Sequence, residues 1–189
     1  MTQAPAGTLY VVVGMPAVGK TTFARRLAKE LGTVLIDIDV ATEPIIRAAM
    51  KAINGNPDDR DSTQFKTIFR EPIYAALFAL ANANLPYTSA AVSAPFTKEM
   101  QDPHWPETIM SIVPNARRVT VLWLHADSAT VKARMEQRGE GRDRPKLEDW
   151  ENTQRYYTGC QQPTFPHVDV DTTAPDCFEQ ALLAGKLDG

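Results

Sequence analysis

The sequence predicts an α/β fold, in which a five-stranded parallel sheet is covered by helices on both faces and ligands bind over the carboxyl ends of its strands. Three observations predict it. Short apolar runs alternate with segments of helical periodicity along the whole chain. The first run, LYVVV (Leu9 to Val13), reads as a strand buried on both faces and passes straight into GMPAVGKT, which meets the phosphate-loop pattern G-x-x-x-x-G-K-[ST] at every position. Beyond the loop, Phe23, Ala24, Leu27, Ala28 and Leu31 recur at helical spacing, and Gly32 is placed to cap that helix.

The remaining elements follow in order. Strands are expected at TVLID (Thr33 to Asp37), SAAVSA (Ser89 to Ala94), RVTVLWLH (Arg118 to His125) and HVDVD (His167 to Asp171). Helical patterns separate them over Ala41 to Asn54, Ser62 to Asn84, Ser128 to Arg138, Leu147 to Cys160 and Pro175 to Leu187. Pro72 interrupts the long middle pattern and is expected to start a second helix or to kink the first. Asp127, just before Ser128, reads as an N-cap rather than as a metal-binding acid.

Bulk properties fit one ordinary domain over residues 1–189, with 1–7 (MTQAPAG) a flexible lead-in. The net charge of -3 argues against general attraction to nucleic acid or to an anionic membrane. Two cysteines, Cys160 and Cys177, are too few for a disulfide framework, and no apolar run has membrane length, so a cytoplasmic monomer or homodimer is expected. The three histidines are far apart and show no metal-ligand spacing.

The loop has a chemistry. Gly14 and Gly19 allow backbone conformations closed to other residues, so that the segment Gly14, Met15, Pro16, Ala17, Val18, Gly19, Lys20, Thr21 and Thr22 can turn N–H groups toward phosphate oxygens. Lys20 adds a mobile cation for the β- and γ-phosphates, and the Thr21 hydroxyl is a hard oxygen suited to Mg²⁺. After the second strand, Asp37 and Asp39 stand two apart. In an extended segment both would project toward the mouth of the sheet, one to hold Mg²⁺ and the other to accept the proton of an attacking hydroxyl. A plainer reading makes Asp39 a helix cap and Asp37 a solvated strand end.

A lid is expected over residues 136–147, within KARMEQRGEGRDRPK, where six basic residues face three acidic ones between Lys132 and Lys146. Arg134 and Arg138 share a helix face, and Arg138 is assigned to the nucleotide. Gly139, Gly141 and Pro145 then break regular structure and free Arg142 and Arg144 to neutralise the transferring group. Residues 41–88 leave the sheet and are expected to hold the acceptor, with Arg60, Lys66 and Arg70 as cations for it; Lys98 follows the third strand at the same end. Trp150, Tyr156 and Tyr157 either bound the pocket or pack against neighbouring elements.

The chain resembles the small P-loop metabolite kinases of the shikimate kinase and gluconate kinase type, relatives of nucleoside monophosphate kinases. GMPAVGKT resembles their loop, DID their D-x-D, VSAPFTK the segment after the third strand of gluconate kinases, and RPKL the lid element of shikimate kinases. The resemblance implies a three-layer P-loop kinase fold, ATP and Mg²⁺ as the nucleotide and its ion, and a small-molecule acceptor. It puts Asp37 at the Mg²⁺-associated aspartate and Asp39 at the aspartate that deprotonates the acceptor, and it makes DTTAP, through Thr173, the base-flanking loop. Arg144, before Pro145, falls on the lid arginine that meets the γ-phosphoryl.

Two other classes compete. An NTP-hydrolysing switch or transporter should carry N-K-x-D or a serine-glycine-glycine signature, and neither occurs. A kinase of a nucleotide, nucleotide sugar, RNA end or antibiotic would use the same loop and lid, so the acceptor stays open.

Overall fold

The computed structural model of the protein describes residues 7–183, with the side chains of Arg142 and Leu183 outside the description. Five strands, β1 (Thr8–Val13), β2 (Val34–Asp37), β3 (Ala90–Ser93), β4 (Arg118–His125) and β5 (Val168–Asp171), form one sheet in the order β2-β3-β1-β4-β5. Every pairing is parallel. The chain leaves β1 toward β2 on one side and leaves β4 toward β5 on the other, so a crevice opens beside the carboxyl end of β1.

Alternation along β1 shows why the sheet is a middle layer. Leu9, Val11 and Val13 join one core with Val92 and Val121, while Tyr10 and Val12 join a second with Ala91, Leu122 and Leu124. The first core is closed by α2 (Ile38–Asn54), α3 (Thr63–Asn84) and α4 (Trp105–Ile112), through Met50, Leu77, Phe78 and Ile109. The second is closed by α1 (Lys20–Leu31), α5 (Ser128–Arg138) and α8 (Cys177–Leu183), through Leu27, Met135 and Phe178. Between α5 and β5 lie two short helices, α6 (Arg144–Glu148) and α7 (Trp150–Gly159).

The expected strands and the three-layer arrangement are present. Four local expectations change. The second helix begins at Ile38 rather than Ala41, because the Asp37 carboxylate accepts the N–H groups of Asp39 and Val40 and turns the chain helical at the strand's end. One helix runs through Pro72; Pro72 and Ile68 are both exposed, so water can serve the carbonyl that proline leaves without a donor. α4 was not expected, and it is anchored by Trp105 and Ile109, four apart and both buried. The segment from Leu147 to Cys160 splits at Asp149, whose side chain caps α7. Asp127 is the N-cap of α5, accepting from the Thr130 N–H at 2.7 Å.

Gly7 is fixed, unlike a flexible lead-in: its N–H donates to the Leu85 carbonyl and its carbonyl accepts from the Arg117 N–H. A Cβ there would stand 2.5 Å from the Thr88 carbonyl oxygen. The rest of that segment, residues 1–6, lies outside the described residues, as does the end of the last expected helix beyond Leu183. Among the described residues no helix is long and apolar enough to cross a membrane.

Candidate active site

The loop after β1 is held from outside by its carbonyls. Lys20 Nζ donates to the Met15 carbonyl at 2.8 Å, the Tyr157 hydroxyl to that of Pro16 at 2.7 Å, and Thr172 Oγ1 to that of Val18 at 2.7 Å. In a trans peptide the following N–H points the opposite way, so the last two bonds aim the Ala17 and Gly19 N–H groups away from Tyr157 and Thr172. Gly14, Ala17 and Gly19 all take positive φ, the backbone of a phosphate nest. Gly14 is obligatory: at φ 141 its Cβ would lie 2.2 Å from the Leu124 carbonyl oxygen. Met15 and Val18 are buried in the core, whereas Pro16, Ala17, Gly19, Lys20, Thr21 and Thr22 line a cleft of about 1350 Å³.

One wall of the cleft carries the two aspartates, in an arrangement that differs from the one strand alternation implies. Asp37 is 3% exposed; one oxygen caps α2 and the other accepts from Thr21 Oγ1 at 3.0 Å. Asp39 stands in the first turn of α2, half-buried and lining the cleft. The two carboxylates thus face different partners because the helix begins between them. Thr21 and Asp37 form an oxygen-only donor pair beside the loop, a set that fits Mg²⁺.

The opposite wall comes from α5 and the segment that follows it, where a lid is expected. Arg134 donates to Thr172 Oγ1 at 3.1 Å and to the Thr172 carbonyl at 2.7 Å, which sets its guanidinium over Gly19. Arg138 forks onto Asp143, with bonds of 2.8 and 2.7 Å to a carboxylate only 2% exposed. Both arginines line the cleft. Arg144 does not: its side chain is 81% exposed and bonds Glu148 one helical turn on, an exposed pair that raises its pKa through the hydrogen bond and charge of Glu148. Arg142 lies in the turn Gly141–Asp143, its side chain outside the description.

In the segment expected to flank the base, Thr172, Ala174 and Pro175 line the cleft and Thr173 does not. Thr172 is buried and lines the cleft, while Thr173 is exposed, its hydroxyl accepting from the Asp127 N–H. Alternation in β5, whose Val168 and Val170 are buried and Asp169 and Asp171 exposed, carried the signal that Thr172 points inward. Tyr157 was open between pocket and packing, and its bond to Pro16 makes it a loop support as well as a lining residue. Burial pushes its phenol pKa up, so it donates throughout the working pH range.

On the side expected to hold an acceptor, Arg70 lines the cleft, joined by Arg60, Lys66, Phe65, Tyr74, Ser93 and Thr97. Lys98 is exposed at the start of a short 3-10 turn and does not line the cleft. The loop that follows Ser93 and carries Thr97 is tied to the phosphate loop through the Gly14 N–H and the Pro95 carbonyl, and Phe96 holds a positive φ of 47° within a cluster of Tyr74, Phe78 and Trp105.

Thr172→Val tests the support of the loop. It removes the hydroxyl shared by Val18, His125 and Arg134 while keeping the shape. A loss of about 1–3 kcal/mol is expected, with Tm falling by about 2–4 °C per kcal/mol in a thermal melt. An unchanged Tm would mean that these bonds contribute nothing net.

Comparison with known proteins agrees with this fold. A shikimate kinase of Mycobacterium marinum is 35% identical over 94 residues, covering 50% of this chain and 49% of that protein. The chain thus spans about half the length of the curated relatives it matches. Among solved structures, a sugar kinase of Janibacter sp. superposes with a TM-score of 0.61 at 20% identity, over 94% of this chain and 93% of that one. An APS kinase of Mycobacterium tuberculosis, in complex with AMPPNP and APS, gives 0.59 at 18% identity, over 97% and 98%. At those identities the likeness is one of fold, the three-layer fold of P-loop kinases. The AAA domain family model matches residues 9–160, the stretch that runs from β1 through the loop, both aspartates, α5 and α6 to the end of α7, and the chain belongs to that family.

Proposed function

We propose that the protein is an ATP-dependent kinase that transfers the γ-phosphoryl of Mg-ATP to a hydroxyl of a small molecule. The observation that carries this is one continuous cleft lined by the phosphate loop, by Asp39 and by residues of α3 and of the loop after β3. A hydrolase needs room only for water at the γ-phosphate, whereas this cleft is lined further on by Arg60, Phe65, Arg70, Tyr74 and Thr97.

Within that reading, the Ala17 and Gly19 amides and Lys20 bind the phosphates, with Arg134 and Arg138 flanking them. Thr21 and Asp37 would hold Mg²⁺, which, when bound, offsets charge on the β- and γ-phosphates. Asp39 takes the proton of the attacking hydroxyl. Residues 41–88 form the acceptor region, and residues 136–147 form a lid that closes when ATP is bound.

An outward Arg144 then has a defined kinetic signature. A residue that meets the γ-phosphoryl only after closure contributes to the transition state and not to ground-state binding. Arg144→Lys is expected to lower kcat by about 10²-fold with KM for ATP nearly unchanged. Arg138→Gln, at a residue already in the cleft, is expected to raise KM for ATP as well. Identical kinetics in the two variants would contradict a closing lid.

The proposal as a whole is tested with a panel of sugars, sugar acids, nucleosides, nucleotides and aminoglycosides, read by ADP release with Mg-ATP. At least one acceptor should raise the rate well above that in buffer. A rate indifferent to every acceptor would contradict it.

A further inference from the structure

We infer that the acceptor is an uncharged polyhydroxylated molecule with a ring face, a sugar or nucleoside rather than a sugar acid or a phosphorylated compound. This rests on the kinase reading above and concerns the acceptor half of the same cleft.

An anionic acceptor is held best by half-buried positive charge that is not already paired; among the described residues the two half-buried guanidiniums on this side, Arg70 and Arg60, are both paired, and Lys66 is exposed. Arg70 forks onto Glu99, Nε to one oxygen at 3.2 Å and Nη2 to the other at 2.8 Å, with side chains 21% and 26% exposed. Burial works against its charge, yet the bond to Glu99 and nearby negative charge outweigh that and hold its pKa above the ordinary value. Arg60 gives Nη2 to Glu43 at 2.9 Å and Nη1 to the carbonyls of Pro57 and Asp59 at 3.0 and 2.7 Å. A carboxylate or phosphate arriving here would have to displace Glu99 or Glu43 and leave it unpaired in a half-buried place, which is costly. Asp39 would repel the same anion. Asp61 is bonded to Lys146 at 2.7 Å, and Lys66 lines the cleft as an exposed side chain.

What the wall does offer suits hydroxyls and ring faces. Arg60 lies over the Phe65 ring and Arg70 over the Tyr74 ring, each 5.5 Å from the centroid, so the ion pairs and aromatics form two stacked platforms. Burial pushes the Tyr74 phenol up to about 12, so it presents a neutral hydroxyl, and Ser93 and Thr97 add two more. Tyr156 contributes a further ring to the lining.

The test uses the full chain with Mg-ATP on matched pairs: glucose against gluconate, and adenosine against its 5′-monophosphate. The neutral member of a pair is expected to have a kcat/KM at least about tenfold higher, since an anion has to displace Glu99 or Glu43 from its arginine. Glu99→Gln, which frees the Arg70 fork, should narrow that ratio by about tenfold through a lower KM for the anionic member. A melting curve shows whether this variant folds; if it does not, the wild-type pairs decide alone. Preference for the anionic member in the wild type would overturn the inference and leave the kinase reading standing. No turnover of any acceptor above buffer would overturn both.

Discussion

Lys20→Ala is expected to reduce acceptor phosphorylation by about 10³-fold or more, the scale on which removing one preorganised charge from a transition state acts. The reason lies in how the loop divides its work. Its amides are aimed by bonds that Tyr157 and Thr172 make to the carbonyls of Pro16 and Val18, and these survive the substitution. The nest should therefore keep its shape. What disappears is the one loop side chain that can carry positive charge from the Met15 carbonyl, where it rests at 2.8 Å, to the transferring phosphoryl. Steady-state kinetics beside a thermal melt would check this: turnover should collapse while Tm barely moves. Wild-type turnover in Lys20→Ala would mean that the loop does not bind the reacting phosphates.

Asp39→Asn is expected to cost about 10²- to 10⁴-fold in transfer, the range of a lost general base, with ATP affinity unchanged by calorimetry. The structure separates the two aspartates more sharply than a D-x-D in an extended strand would. Asp37 is buried, committed to Thr21 and to the N–H groups that start α2; Asp39 lines the cleft from the first turn of that helix. Removing the charge of Asp37 should disturb the helix start and the nucleotide site together, whereas Asn at position 39 keeps the size and loses only the proton acceptor. Equal loss of ATP affinity in both variants would make Asp39 a nucleotide or metal ligand.

The sheet was legible because β1 is buried on both faces and β4 is apolar through its middle, so LYVVV and RVTVLWLH stand out as apolar runs whatever their surroundings. The loop was legible because its chemistry is local: Gly14, Gly19, Lys20 and Thr21 act within one turn of chain. What escaped depends on contacts distant in sequence. Nothing near Thr172 announces that its hydroxyl reaches Val18, 154 residues away, and nothing near Arg70 announces Glu99 as its partner. The start of α2 was misplaced for a different reason. A carboxylate at a strand end serves equally well as a solvated tip, a metal ligand or a cap, and only the N–H groups of Asp39 and Val40 decide it. The short α4, with a proline at its second position, offered too few turns for periodicity to register.

The central claim is that the γ-phosphoryl leaves ATP for an alcohol and not for water. The most direct measurement supplies γ-labelled Mg-ATP with the best acceptor of the panel and follows the label by mass spectrometry. The label should appear in a phosphomonoester of the acceptor, one equivalent per ADP formed. Label recovered only as inorganic phosphate, at a rate that ignores the acceptor, would contradict it.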